Sequence, residues 1–204
     1  MGLIGVVRLN ANVCISTKIF YINISLYYMK LLVEIFNNFG SYGNIIVLLL
    51  SMYLLWNKEN LFFYYSVGIF TDALLNLILK GIFQYPRPSE DINTFNLALS
   101  HGKRFIFKDG IPHDIFGMPS GHAELVMFST VFIYLALRKT KILYLYLFLS
   151  LLIICQRVIY NYHTVAQVFV GAIVGALFGY FVYFLSGEKI KGHITEKLDD
   201  FGPI

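Results

Sequence analysis

Lys80 with Arg87-Pro88, then Pro119-Ser120-Gly121-His122, then Arg157 with His163 each stand at the edge of a long apolar run. Ionisable side chains are costly at the margin of hydrocarbon, and their default reading there is a functional site. Lys and Arg bind phosphoryl oxygens, and a helix that opens on Gly offers backbone N–H groups to an anion. Histidine can carry a proton or attack at neutral pH. Brought together, the three fragments describe a site for a phosphate ester at a membrane surface.

Each fragment has its own logic. Lys80 and Arg87 are seven residues apart, so a helix persisting to about Tyr85 would aim both at one point. A snorkelling lysine followed by an interfacial arginine fits the same spacing. In Pro119-Ser120-Gly121-His122, Ser120 can add a hydroxyl to the backbone donors of Gly121, and His122 stands where it could protonate a leaving group. An N-capping serine with a bystander histidine has the same pattern. The planar fork of Arg157 can clamp two phosphoryl oxygens. His163 precedes Gln167 by four residues and shares its helix face. A nucleophilic histidine needs its remote ring nitrogen held by an acceptor, and Gln167 offers a carbonyl oxygen without a negative charge.

These residues need elements that bring them together. The chain has 204 residues, 57% of them hydrophobic and 14% charged, against about 25% charged in soluble domains. With a mean hydropathy of +0.66, it reads as a single integral membrane domain. A net charge of +4, dispersed along the chain, is too small to suggest a nucleic-acid surface. Two cysteines, Cys14 and Cys155, make neither a disulfide framework nor a metal site. No signal-peptide pattern opens the sequence, because Arg8 and two asparagines follow the first apolar residues.

A span takes roughly 20 apolar residues. Five are predicted, over about 43–56, 61–83, 122–137, 142–160 and 164–185. The second ends ahead of Pro86 and Pro88, where the missing donor and the restricted preceding residue stop a helix. Gly171, Gly175 and Gly179 recur every fourth residue in the fifth, a pattern for close helix packing. Within the N-terminal segment 1–40, residues 15–36 read as an interfacial helix in preference to a sixth span. Residues 84–118 form a long polar stretch, read as a cap over the site, and 187–204 a polar tail. Asp72 and Glu124 are the acids inside the spans, either tuning the site or making buried helix contacts.

If the spans simply alternate, the end of the second, start of the third, end of the fourth and start of the fifth share one membrane face. Those points carry Lys80 and Arg87, Ser120 and His122, Arg157, and His163. The other face carries Lys58, Arg138, Lys139, Lys141, Lys189 and Lys191. The positive-inside rule then puts the site on the lumenal or exoplasmic side of an endoplasmic reticulum, plasma or inner membrane.

Lys80-x6-Arg87-Pro88, Pro119-Ser120-Gly121-His122 and Arg157-x5-His163 resemble, in order and spacing, the three signature motifs of the type 2 phosphatidic acid phosphatase superfamily. The resemblance covers about residues 60–185 and implies an all-α transmembrane bundle. It further implies a phosphatase that needs no metal or other cofactor and forms a phosphohistidine. His163 would be the nucleophile, His122 the general acid, and Lys80, Arg87, Ser120, Gly121 and Arg157 the phosphate ligands. Two positions depart from the family pattern: Gln156 stands where serine is usual, and Gln167 where an aspartate usually orients the nucleophile. His163-Thr164-Val165-Ala166-Gln167-Val168 and Gly117-Met118 are similar to the dolichyl-diphosphate phosphatase branch. The expected substrate is therefore a polyprenyl (dolichyl-type) diphosphate held at the bilayer. Hydrolysis of phosphatidate or a related lipid phosphate, phosphoryl transfer to another acceptor, and a non-catalytic lipid-phosphate binder are the alternatives.

Overall fold

The computed structural model describes residues 3–108 and 110–189, so the end of the expected polar tail lies outside the described residues. Met1–Phe39 and Gly40–Ile204 are two compact units. Helix α1 (Leu3–Leu55) runs uninterrupted through 15–36 and on to the predicted first span. That span is thus the end of a longer helix, and its apolar stretch is Leu26–Leu55. No proline interrupts this helix, the first of the chain being Pro86. A helix-interior glycine costs only about 1 kcal/mol, against about 3 for proline.

The second unit holds α2 (Glu59–Phe83), α4 (Gly121–Leu137), α5 (Thr140–Ile159) and α6 (Val165–Lys189). The stretches Leu26–Leu55, Glu59–Phe83, Thr140–Ile159 and Val165–Gly187 are long and apolar enough to cross a membrane. The third predicted span, α4, has only 17 residues, roughly 25 Å of helix against about 30 Å of hydrocarbon. It packs against α2, α5 and α6, which relieves it of much of the lipid contact. Ala123, Val126, Phe128, Phe132 and Ile133 are all buried in it.

The glycine periodicity of α6 is explained by this packing. A Cβ on Gly171 would stand 2.5 Å from the Ser120 carbonyl oxygen and one on Gly179 2.6 Å from that of Phe128. A Cβ on Gly175 would collide with the Glu124 carbonyl. One bare stripe of α6 therefore lies on the backbone of α4 at matching four-residue steps. Polar bonds join the helices at membrane depth: Tyr65 with Ser129 at 2.8 Å, Thr130 with Ser150 at 2.9 Å, Ser51 with Tyr146 at 2.8 Å. Bonds of this kind average about 0.6 kcal/mol, so they add registry more than bulk stability.

The stretch 84–118, expected as a cap, has secondary structure of its own. It contains α3 (Ile92–Ser100) and an antiparallel hairpin of β1 (Phe105–Lys108) and β2 (Ile111–Asp114). Asp91 caps α3 by accepting from the Thr94 N–H at 2.8 Å. Phe95, Ala98, Ile115 and Phe116 form a small buried core of its own, with Ile106 against it. This core fixes where β2 ends, and β2 ends at the site.

Candidate active site

Helix α2 stops at Phe83, not near Tyr85. Gln84 takes a left-handed conformation (φ 52°) and its N–H closes on the Lys80 carbonyl. The following segment is extended and pairs with the end of the cap, with Gly117 N–H donating to the Tyr85 carbonyl at 2.7 Å and Pro86 bridging Phe116. Lys80 and Arg87 still converge, through a turn instead of a continuous helix. Their meeting point is Asp114. Its Oδ2 lies 3.5 Å from Lys80 Nζ, and its backbone carbonyl accepts from Arg87 Nε at 3.1 Å. Arg104 holds the same carboxylate through Nε at 3.3 Å and Nη2 at 3.0 Å, and the Phe116 N–H adds a bond at 3.1 Å. Burial alone would raise the Asp114 carboxyl, but the Arg104 bond, the Lys80 charge and the Phe116 N–H together hold it below the ordinary range.

Ser120 is the N-cap residue of α4, yet its side chain makes no capping bond. Its hydroxyl is buried without a hydrogen-bond partner. Its backbone N–H is anchored on the Gln167 carbonyl at 3.0 Å, which ties the turn to the first turn of α6. From behind, Asn76 Nδ2 donates to Glu124 Oε2 at 2.6 Å and reaches the Pro119 carbonyl at 3.4 Å. Glu124 is thereby a buried helix contact supporting the turn. The charges of Arg157, Arg87 and Lys80 all reach the His122 ring.

The α5–α6 connection turns at Asn161 (φ 55°), a residue that tolerates the left-handed region. This lets the Tyr162 and His163 N–H groups both return to the Arg157 carbonyl, at 3.0 and 3.1 Å. Arg157 is buried in the last turn of α5, its guanidinium carbon 4.1 Å from the Tyr162 ring centroid. Its Nε has no hydrogen-bond partner.

The His163 ring is held at Nδ1, 2.9 Å from the Gly117 carbonyl and 3.2 Å from Gln167 Oε1. Gln167 is itself oriented, since Nε2 donates to the Pro86 carbonyl at 2.8 Å and Oε1 accepts from the Thr164 N–H at 3.1 Å. Two acceptors face Nδ1, so Nδ1 carries the hydrogen and Nε2 carries the lone pair. Burial, with the nearby charges of Arg87 and Arg157, pushes the imidazole down to about 3. At neutral pH the ring is uncharged and in the tautomer a nucleophile requires.

The structure therefore gathers Lys80, Arg87, Ser120, Gly121, His122, Arg157, His163 and Gln167 where the four helix ends meet. Three cations, two unpartnered buried donors and a neutral imidazole can take a phosphoryl group and attack it. Beside Arg87 and Gln167 opens a cavity of about 520 Å³ with Tyr85, Pro86, Met118 and Ala166 in its walls. Asn76 and Asp114 were not anticipated. Asn76 precedes Lys80 by four residues on one helix face, a signal available in the chain. Nothing in the sequence separates Asp114 from the other acids of the cap.

A family model described as the PAP2 superfamily matches residues 61–191. Dolichyldiphosphatase of Saccharomyces cerevisiae is 29% identical over 154 residues, covering 69% of this chain and 59% of that protein. The chain thus spans about three-fifths of the length of this curated relative. LpxE of Aquifex aeolicus superposes with a TM-score of 0.56 at 22% identity, over 74% of this chain and 85% of the other. A transmembrane PAP2-type phosphatidylglycerolphosphate phosphatase from Bacillus subtilis gives 0.55 at 19% identity, over 78% of each chain. At those identities the structural likeness establishes the fold.

Proposed function

The chain belongs to the PAP2 superfamily as an integral membrane protein, and we propose that it hydrolyses a lipid phosphate, specifically a polyprenyl (dolichyl-type) diphosphate, through a phosphohistidine. The observation that carries this reading is the His163 ring, neutral and locked with Nε2 free, within the field of Lys80, Arg87 and Arg157. His163 Nε2 attacks the terminal phosphorus, and the bond to the leaving oxygen breaks. The positive charge that develops on the ring is received by the Gly117 and Gln167 carbonyl dipoles. Lys80, Arg87, Arg157, Ser120 Oγ and the Gly121 N–H stabilise the equatorial oxygens. His122 donates its proton to the departing polyprenyl phosphate. It then takes a proton from water, whose oxygen attacks phosphorus and splits the P–N bond, releasing inorganic phosphate.

A lipid substrate is supported by the apolar walls of the cavity beside Arg87. A further apolar groove of about 510 Å³ follows α2 and α6 into the membrane, lined by residues such as Leu74, Ile78 and Phe181. The dolichyl assignment draws on the yeast relative and on the Gln167 variant of the third motif. Lys58, Arg138, Lys139 and Lys141 in the opposite connections support a lumenal or exoplasmic site.

The test is phosphate release by purified protein in detergent containing EDTA, across polyprenyl diphosphates, phosphatidate and sugar phosphates. Release is expected to be greatest with the polyprenyl diphosphate and to vanish in His163→Ala. Undiminished release by that variant overturns the nucleophile, and preference for phosphatidate or a sugar phosphate overturns the substrate. Loss of wild-type activity in EDTA that returns with added metal overturns metal independence.

A further inference from the structure

Asp114 lies outside all three motifs, at the end of the cap hairpin, yet it contacts both cations of the first motif. Resting on the phosphatase reading above, the geometry points to Asp114 as a positioning residue that sets Lys80 and Arg87 for the phosphoryl group. Lys80 ends a flexible four-carbon stem, and a compact ammonium binds phosphate well only when its stem is held. A carboxylate 3.5 Å from Nζ supplies that hold and occupies one side of the ammonium, leaving N–H groups for a ligand. The Asp114 carbonyl does the same for Arg87 by taking Nε, so the guanidinium edge beyond it is left for phosphate.

An acid beside a phosphate site would ordinarily repel its ligand. Here the charge is already answered. Arg104 binds both carboxylate oxygens, and its Nη1 donates to the Leu77 carbonyl of α2 at 2.9 Å. Arg104 also lies 5.4 Å from the Phe105 and Phe116 ring centroids, so the pair is fixed to both hairpin and helix. A fixed, neutralised carboxylate keeps its directional contact with Lys80 while subtracting little from the field that draws the substrate. The folded cap thus acts on the motif cations, beyond covering them.

The experiment compares wild type with Asp114→Asn, which keeps the backbone carbonyl for Arg87 but removes the carboxylate from Lys80. Steady-state phosphate release from farnesyl diphosphate and inhibition by orthovanadate, a phosphoryl analogue, are measured in detergent. KM and the vanadate inhibition constant are both expected to rise about tenfold, with kcat changed far less. A fall in kcat alone, with both constants unmoved, marks a structural role and overturns the proposal. Tighter vanadate binding also overturns it, because Asp114 would then be a competing anion. If the Asn variant does not purify as a monodisperse species, the same constants are read on Asp114→Glu, which displaces the carboxylate by one methylene. Unchanged constants there overturn the proposal equally. A wild-type protein inactive on every phosphate ester overturns the phosphatase reading instead.

Discussion

The side-chain amide of Gln167 joins the turn bearing His163 to the segment bearing Arg87: Oε1 stands 3.2 Å from His163 Nδ1, while Nε2 donates to the Pro86 carbonyl at 2.8 Å. An aspartate cannot make the second bond, and it would turn a carboxylate oxygen toward a carbonyl oxygen. The amide is therefore suited to this site. Gln167→Asp is expected to leave kcat equal or lower, and Gln167→Leu to lower it by about 10². That is less than the roughly 10⁴ lost when a catalytic-triad aspartate becomes its amide, because the Gly117 carbonyl still holds Nδ1 at 2.9 Å. A tenfold gain in Gln167→Asp would show that the amide is a defect.

The protonation of His163 gives a pH prediction whose direction is set. Unfolded, its imidazole binds a proton near about 6.5; folded, only near about 3. Its contribution to stability is thus full above the unfolded value and is lost as pH falls toward the folded one. The His163 ring stays a free base through pH 5. Nitrogen NMR of histidine-labelled protein in micelles, assigned by difference from His163→Asn, should show the Nδ1–H tautomer from pH 7 to pH 5. Titration near pH 6 would refute it.

Arg157 contributes a planar fork whose Nε is buried and unpartnered while its face rests on Tyr162. Lysine reproduces the charge but neither the fork nor the stacking. Arg157→Lys should reduce kcat/KM by about 10². A reduction below threefold would mean that charge alone suffices.

Gly175 lies against the Glu124 backbone, one turn from the Ser120 turn. Gly175→Ala must push α4 from α6 and is expected to cost at least about 2 kcal/mol, seen as a lower midpoint of thermal unfolding in detergent. Gly187, with open space around its Cβ position, is the matched control. Equal stability of the two alanine variants would refute close packing as the reason for the stripe.

The helical membrane fold, the chemistry-bearing residues and their common face were legible because they depend on local properties. Apolar length marks a span, proline marks its end, and a glycine every fourth residue marks a contact face. Span order alone then brings Lys80, Ser120, Arg157 and His163 to one side. The lengths at the N-terminus and of α4 were less legible, since Asn37, Asn38 and Gly40 weaken a helix without ending it.

What remained hidden depended on contacts between segments distant in the chain. The role of Gln167 rests on the Pro86 and Gly117 carbonyls, 81 and 50 positions away, which no spacing rule can supply. The convergence of Lys80 and Arg87 rests on Asp114, placed there by a cap core of Phe95, Ala98, Ile115 and Phe116. Composition and periodicity thus specified which groups lie at the helix ends, because both act within one helix. Their tautomer, orientation and charge balance came only from tertiary packing, because each depends on backbone groups from another segment.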